Sequence, residues 1–240
     1  MGAHLASIKI RTGNSWLRRN AFVAGLLSCF VSVALATLSI DSFTQTDFMP
    51  LPELNLVNHF LIAMPSMQDP MFGGTVIYIC EHNERGALGV IINKPTDMTI
   101  ETLLDRINIK LDLTPKLCQD TRKLVMFGGP VQDDRGFVLH APVENFSSTL
   151  VINEHIAFTT SRDVLEAVAQ GRGPGNILVS VGYSGWGAGQ LEEEIIKNGW
   201  LTVPADPVIL FELPIEQRLA AAMKLLGFDP MMLSGEAGHA

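Results

Sequence analysis

Short runs of apolar and β-branched residues recur between residues 75 and 211, and each run has the length of a β-strand. Several runs contain no polar residue, which is typical of strands that are covered on both faces. The pattern predicts strands at Thr75–Cys80, Leu88–Ile92, Leu124–Phe127, Phe137–Leu139, Thr149–Ile152, Ile177–Val181 and Val208–Phe211.

Other segments carry apolar residues at helical spacing and are bounded by helix signals. Thr99 is placed to cap a helix over Ile100–Ile107, and Ser161 is placed to cap one over Arg162–Gln170. Glycines at 171, 199 and 227 are placed to end helices, because glycine tolerates the left-handed backbone found there. Two further helices are therefore predicted, over Gln190–Asn198 and Pro214–Leu226.

The order of these elements indicates the fold class. Strands and helices do not alternate regularly, which argues against a doubly wound parallel sheet. We expect an α+β fold with a mixed, strongly coiled β-sheet core and peripheral helices in a single compact domain.

The first 48 residues have a different pattern. Residues 1–20 carry four basic residues and no acidic residue, Ala21–Ile40 is an uncharged apolar run, and the first carboxylate is Asp41. This layout is typical of a signal peptide with Ala34–Ala36 as its cleavage site. An uncleaved membrane anchor is an alternative, because about 20 apolar residues span a bilayer.

Five motifs in the rest of the chain identify a family. The chain resembles the AlgH/YqgE family of bacterial proteins at Phe60–Pro65, Cys80–His82, Gly86–Pro95, Gly128–Val131 and Gly182–Glu194.

The resemblance begins near Leu54 and covers the rest of the chain. It implies a compact α+β fold, a cytoplasmic protein and a third interpretation of residues 1–48, as an extension upstream of a true start at Met49. The family domain is then expected over 49–233, followed by a mobile tail at 234–240. The family name also implies an association with the control of alginate synthesis.

The stretch from Gly182 to Glu194 joins a predicted strand to an acidic helix start through four glycines. Neither a phosphate-binding loop nor a dinucleotide fingerprint has this glycine spacing. Acidic residues in the first helical turn would also repel a bound phosphate. We therefore expect a tight turn that needs positive φ at its glycines, Gly187 included.

Ser184 lies in a partial match to a nucleophile elbow, Gly-x-Ser-x-Gly. Gly185 comes one residue too early for that motif, and Trp186 stands where its second glycine belongs. The family as a whole usually has alanine at this position. Ser184 is therefore interpreted as a small turn residue.

Cys80-Glu81-His82 is the best candidate for chemistry. Strand alternation predicts Cys80 and His82 on one face, with Glu81 on the other. A neighbouring histidine would favour the thiolate and create a nucleophile. The alternative is that Cys80 is a small buried residue and that His82 bonds a loop carbonyl.

Polar and glycine residues at strand ends are candidates for ligand binding, because sheets often place binding loops there. Ordinary turn chemistry also explains the same residues and is the favoured interpretation. Asp133, Asp134 and His140 could join such a site, whereas His59 and His155 are expected to be structural. The candidates are Asn93, Lys94, Gly128, Gly129, Gly182, Gly185, Trp186 and Gln190.

The net charge of the domain indicates which classes of partner it can bind. Residues 1–48 hold four of the 17 basic and two of the 25 acidic residues, which leaves a formal charge of −10 for 49–240. Direct nucleic-acid binding is not expected from such an acidic domain without a basic face.

Cysteine content limits the cross-links and metal sites that can be expected. Two cysteines, Cys80 and Cys118, are too few for a dense disulfide framework, although a single disulfide between them is still possible. No metal-ligand spacing occurs, and we expect no cofactor.

Two classes of function remain. The first is a non-enzymatic regulatory or interaction protein that acts indirectly on gene expression through a protein partner. The second is a small-molecule-binding protein or thiol-dependent enzyme that uses Cys80, His82 and the glycine loops. The absence of a complete catalytic constellation favours the first.

Overall fold

The structure, a computed structural model, describes residues 54–111 and 121–227. The predicted extension at 1–48, the start at Met49, Cys118 and the tail at 234–240 lie outside these residues.

The described strands form one ten-stranded sheet. Its main path runs β10-β1-β2-β3-β9-β6-β8-β7, while β4 pairs with β5 and β5 pairs with β9. The strands are β1 (His59–Ala63), β2 (Val76–Asn83), β3 (Gly86–Ile91), β4 (Pro95–Thr99), β5 (Leu124–Phe127), β6 (Val131–Ala141), β7 (Thr149–Val151), β8 (Ala157–Thr159), β9 (Asn176–Gly187) and β10 (Trp200–Pro204).

Five helices lie in the described part of the chain. They are α1 (Ile100–Arg106), α2 (Arg162–Ala169), α3 (Gln190–Ile196), α4 (Pro207–Phe211) and α5 (Ile215–Leu225). Thr99 caps α1 as predicted, accepting a hydrogen bond from the Thr102 N–H. Ser161 occupies the N-cap of α2, but its hydroxyl donates to Asp163, which accepts from the helix N–H of Val164 in its place.

Strand β9 connects the two halves of the sheet. One edge pairs with β6 from Asn176 to Tyr183. The other edge pairs first with β5, in parallel at Ser180 and Val181, and then with β3, antiparallel from Ser184 to Gly187. The sheet is therefore mixed, as predicted, and β9 is shared by its first half (β10, β1, β2 and β3) and its second half (the remaining strands).

Three apolar clusters hold the layers together. The largest lies on one face of both halves and is filled by Leu210 and Phe211 of α4 and Ala222 of α5. On the other face, α1 and α2 pack on the second half, and Leu191 of α3 packs with Trp186 and Trp200 on the first half. Each fully buried large apolar side chain contributes roughly 1.5–3 kcal/mol. This arrangement confirms the predicted α+β fold with peripheral helices.

The predicted strand at Val208–Phe211 was wrong, because this segment is helix α4. Asp206 accepts from the Val208 N–H at 2.8 Å and Pro207 occupies the first turn, so local capping sets the conformation of a short apolar run. Four strands, β1, β4, β8 and β10, were absent from the predicted set. They are short, and β4 is largely polar.

The predicted turn after Val181 was also wrong, because β9 continues to Gly187. Positive φ occurs at Gly182, inside the strand, and at Gly189, which caps α3, but not at Gly185 or Gly187. A strand with one left-handed residue can bend and continue, which the sequence pattern did not reveal.

Candidate functional site

The structure brings three of the predicted glycines together where β3 and β5 diverge beside β9. We call Gly128, Gly129 and Gly182 the glycine seam. The Gly128 N–H donates to the Val181 carbonyl at 2.9 Å, and the Gly128 carbonyl accepts from the Ile91 N–H at 3.0 Å. Gly128 thus bridges the first and second halves of the sheet.

The seam glycines are required by close backbone packing. A Cβ on Gly129 would lie 2.3 Å from the Tyr183 carbonyl carbon, and one on Gly182 would lie 2.2 Å from the Gly129 oxygen. Both also have positive φ, at 145° and 71°. These glycines face one another and leave no room between them for a ligand.

Asn93 and Lys94 bind the chain's own backbone. The Asn93 side chain accepts from the Val76 N–H at 2.8 Å and donates to the Gly74 carbonyl at 2.9 Å. The Lys94 ammonium donates to the carbonyls of Pro70 and Met71 at 3.0 and 2.7 Å. In this conformation both residues fasten the segment before β2 to the end of β3.

Cys80 and His82 lie on opposite faces of β2, so the prediction of a shared face was wrong. The register passes from Ile79 opposite Gly89 to Glu81 opposite Leu88, which makes Cys80 the extra residue of a β-bulge. Cys80 packs with the cluster filled by α4 and α5, whereas His82 bonds to residues of the other face. The bulge reverses the alternation on which the prediction relied.

The environment of Cys80 opposes ionisation. Its side chain is 2% exposed, and its thiol donates to the Tyr78 carbonyl with a separation of 3.7 Å. Burial raises the pKa of the Cys80 thiol well above its ordinary value, and the nearby charge of Glu81 raises it further. A protonated, enclosed thiol is a poor nucleophile.

His82 is held at both ring nitrogens. Nδ1 accepts from the Leu56 N–H at 3.2 Å, which in the neutral ring leaves the proton on Nε2. Nε2 lies 3.0 Å from a carboxylate oxygen of Glu192 on α3. With its side chain 3% exposed, His82 ties α3 and the segment before β1 to β2.

Trp186 and Gln190 take part in a clamp between β9, α3 and β10. One carboxylate oxygen of Glu194 accepts from the indole N–H groups of Trp186 and Trp200, at 2.9 and 2.8 Å. The other accepts from the Gln190 amide at 2.9 Å, and Gln190 in turn accepts from the Gly187 N–H. The Glu194 carboxylate thus ties α3 to the indole groups of β9 and β10.

Gly185 and Gly187 differ from the seam glycines. Both are exposed strand residues, and neither has positive φ. A Cβ on Gly187 would meet only the Gln190 side-chain oxygen, at 3.8 Å, and one on Gly185 would lie 3.3 Å from the Tyr183 ring edge. Backbone packing therefore does not require glycine here, and we call this pair the glycine floor.

The glycine floor underlies an open cleft of about 320 Å³, which we call the glycine cleft. Leu88 and Tyr183 provide apolar surface, and the Tyr183 ring packs edge-on against Phe137 at 5.4 Å. Glu81 and Arg85 bring opposite charges to the cleft. The arrangement suits recognition of a group with apolar and polar parts.

Of these lining residues, sequence reasoning proposed Gly185 and Trp186 and placed Glu81 at a strand end. It missed Asn83, Arg85 and Tyr183. A signal was present in the strand pattern, since Tyr183 alternates with the two floor glycines.

His140 is buried in a hydrogen-bonded chain. Its Nδ1 lies 3.1 Å from the Pro142 carbonyl and its Nε2 lies 2.9 Å from the Thr159 hydroxyl, which also contacts Thr149. Burial lowers the pKa of His140, which favours the neutral ring. The expected structural residue His59 contacts the Val57 carbonyl at 3.0 Å through Nδ1.

Metal-binding and membrane-spanning features are both absent from residues 54–111 and 121–227. No group of three or more His, Cys, Asp or Glu side chains there is arranged to hold a metal ion. No helix in the same ranges has the length and apolar character needed to cross a membrane.

Comparison with protein families gave one extensive match. The sequence model of a family described as AlgH-like matches residues 60–231. A UPF0301 protein from Burkholderia vietnamiensis is 59% identical over 193 residues, which cover 80% of this chain and 98% of the relative. A UPF0301 protein from Ralstonia nicotianae is 58% identical over 191 residues, covering 80% and 98%.

Solved structures agree on the fold. The solution structure of the AlgH protein from Pseudomonas aeruginosa is 51% identical, with a TM-score of 0.62 over 77% of this chain and 96% of that one. A crystal structure of a Corynebacterium diphtheriae protein shares the fold at 19% identity, with a TM-score of 0.56 over 71% of this chain and 87% of that one.

Proposed function

The chain belongs to the AlgH-like family, and from that premise we propose that it is a non-enzymatic regulatory or interaction protein whose recognition surface is the glycine cleft. The observation that carries the proposal is the glycine floor. Glycine in a strand interior weakens the strand and often marks a place where another molecule approaches closely. Gly185 and Gly187 carry this cost although neither has a positive φ, and a Cβ on Gly187 would make only an ordinary contact, 3.8 Å from the Gln190 side-chain oxygen.

The partner that suits this surface is a short, extended segment of another protein. Bare backbone at Gly185 and Gly187 lets such a segment lie close to the sheet, and the Tyr183 ring offers an apolar contact beside it. Glu81 and Arg85 supply one charge of each sign for the segment's polar groups. A binding experiment would distinguish such a segment from the alternative ligand, a small molecule with the same mixture of apolar and polar groups.

The charge of the domain supports an indirect role in gene expression. With a formal charge of −10 over residues 49–240, the domain would repel a phosphate backbone. We therefore propose that it acts in the cytoplasm through a protein partner and does not itself contact nucleic acid.

The alternative, a thiol-dependent enzyme, has less support. It needs an accessible Cys80 thiolate next to His82, and the structure has a buried thiol on one face of β2 and a doubly bonded imidazole on the other. Asn93, Lys94 and Gly128, which that enzyme would also use, bond the protein itself.

The experiment compares three versions of the full-length protein: the natural sequence, Gly187→Val and Gly175→Val. Gly175 is a matched control, because it is exposed, lacks positive φ and lines neither described cleft. A Cβ added to Gly175 would also meet no heavy atom within 4 Å. A partner is captured with the natural protein and identified by mass spectrometry. The purified partner is then titrated against each of the three proteins by calorimetry.

We expect Gly187→Val to bind the partner at least tenfold more weakly, because its methyl groups occupy the cleft, and Gly175→Val to bind normally. Equal binding by Gly187→Val and the natural protein would refute the glycine cleft as the recognition surface.

A further inference from the structure

A second cleft opens where β5 and β9 diverge. Their parallel pairing is confined to Met126 with Ser180 and Phe127 with Val181. Toward their amino ends the strands separate, and the segment joining α4 to α5 covers the gap. We call the resulting space, of about 350 Å³, the arginine cleft; its walls include Leu124, Met126, Leu178, Phe211, Leu213 and Arg218.

Arg218 is an unusual residue for such a wall, since it lies on the buried face of α5 and is only 8% exposed. Its Nε donates to the Leu213 carbonyl at 3.1 Å, and its Nη1 donates to the Ile92 carbonyl at 2.6 Å. These bonds fix the guanidinium plane between α5 and the end of β3. They use only part of its donor capacity, because a guanidinium has five N–H groups.

The remaining nitrogen, Nη2, makes no hydrogen bond to the described residues, and it is not sealed from solvent. Arg218 is one of the residues that line the arginine cleft, and its guanidinium has donor capacity that the protein does not use.

The positive charge of Arg218 lacks a close partner in the described ranges. Arg218 takes no part in the ion pairs found within residues 54–111 and 121–227, such as Arg162 with Glu166 and Lys197 with Glu193. Burial lowers the pKa of Arg218 to about 10, and Glu216 acts on it only from a distance, so the group stays charged at neutral pH. A charge taken out of water is costly unless it is paired.

We propose that the arginine cleft binds a small organic carboxylate with an apolar body. The carboxylate would accept charge-assisted hydrogen bonds from the guanidinium, the geometry for which arginine is best suited. The apolar body would lie against Leu124, Met126 and Leu213. The exposed residues Glu212, Glu216 and Lys123 also line the cleft. With two carboxylates and one ammonium beside Arg218, these surroundings favour a guest with a single carboxylate over a dianion.

This site is separate from the glycine cleft, with which it shares no lining residue. The two proposals can therefore fail independently, and Gly187→Val should not change binding in the arginine cleft.

The test uses octanoate and octanamide as probes of the full-length protein, with calorimetry and amide chemical shifts as readouts. The two probes have the same apolar body, but only octanoate carries a charge. Leu124→Trp fills the arginine cleft without altering Arg218. Ile196→Trp is the matched control, because Ile196 is 79% exposed and lies outside both clefts.

We expect octanoate to bind at least tenfold more tightly than octanamide and to shift the Leu213 and Arg218 amides. Leu124→Trp should abolish this binding, whereas Ile196→Trp should retain it. Equal binding of the two probes, no binding of octanoate, or binding that survives Leu124→Trp would each overturn the proposal.

Discussion

The glycine seam and the glycine floor meet along β9, yet glycine is present in each for a different reason. In the seam, Gly129 and Gly182 have positive φ and approach backbone atoms so closely that no Cβ fits. In the floor, Gly185 and Gly187 have no positive φ, and a Cβ there would meet only side-chain atoms, at 3.3 Å or more. A glycine-rich motif therefore indicates a binding surface only where the fold itself would accept a side chain.

We expect the largest effect on stability from a substitution in the glycine seam. Gly129→Ala forces a Cβ against the Tyr183 backbone and demands a φ of 145°, so we expect a loss of about 3 kcal/mol or more in the free energy of unfolding. Urea unfolding followed by tryptophan fluorescence measures it. Gly175→Ala is the control, and a loss below about 1 kcal/mol for Gly129→Ala would remove the distinction between seam and floor.

A smaller loss in the free energy of unfolding is expected when the clamp between β9, α3 and β10 is weakened. Glu194→Gln replaces a charged acceptor that serves two indole N–H groups, and we expect it to cost about 1–3 kcal/mol. The control is Glu193→Gln, whose carboxylate is 70% exposed. Faster hydrogen exchange at both indole groups would accompany the loss, and unchanged exchange would contradict the clamp.

Ser184 lies between the two sets of glycines, and its hydroxyl donates to the Gly128 carbonyl at 3.2 Å. That carbonyl keeps its bond from the Ile91 N–H when the hydroxyl is removed. We therefore expect Ser184→Ala to lower the free energy of unfolding by about 1 kcal/mol, with the fold retained. Unfolding curves for Ser184→Ala and the natural protein test this, and a collapse of the fold would mean that the seam depends on this hydroxyl.

We expect the smallest effect on stability from a substitution in the glycine floor. Gly187→Ala adds a methyl group into open space, so stability should be unchanged or rise by roughly 0.5–1 kcal/mol. Thermal and urea unfolding of the variant decide the matter. A loss of more than about 1 kcal/mol would show that Gly187 is structural and would remove the main support for the glycine cleft.

The sequence was a good guide at several helix ends and at the longest apolar runs, although it missed the local capping of α4. Thr99 caps α1, and Gly171 and Gly227 adopt the left-handed backbone beyond α2 and α5. The apolar runs of β2 and β9 are strands covered on both faces. These features depend on residues that are close together in the chain, so the local sequence is sufficient to predict them.

The sequence was a poor guide where distant segments set the geometry. The bulge at Cys80 arises from pairing with β3, and it places His82 on the face opposite to the one that alternation predicts. The seam exists only because Gly128 and Gly182 meet across the sheet. Arg218 could have been noticed, since it falls on the apolar stripe of α5 with Ile215 and Ala222, but its uncompensated charge is visible only in three dimensions.

The position of β9 in the chain has a consequence for biosynthesis. Strands β1 to β8 all leave the ribosome before β9, so β3 and β6 must wait with one edge unpaired. Open strand edges are templates for mispairing between chains. The nascent protein is therefore most exposed to aggregation just before residues 176–187 emerge, and a ribosomal pause at that point would lengthen the period in which a chaperone is needed.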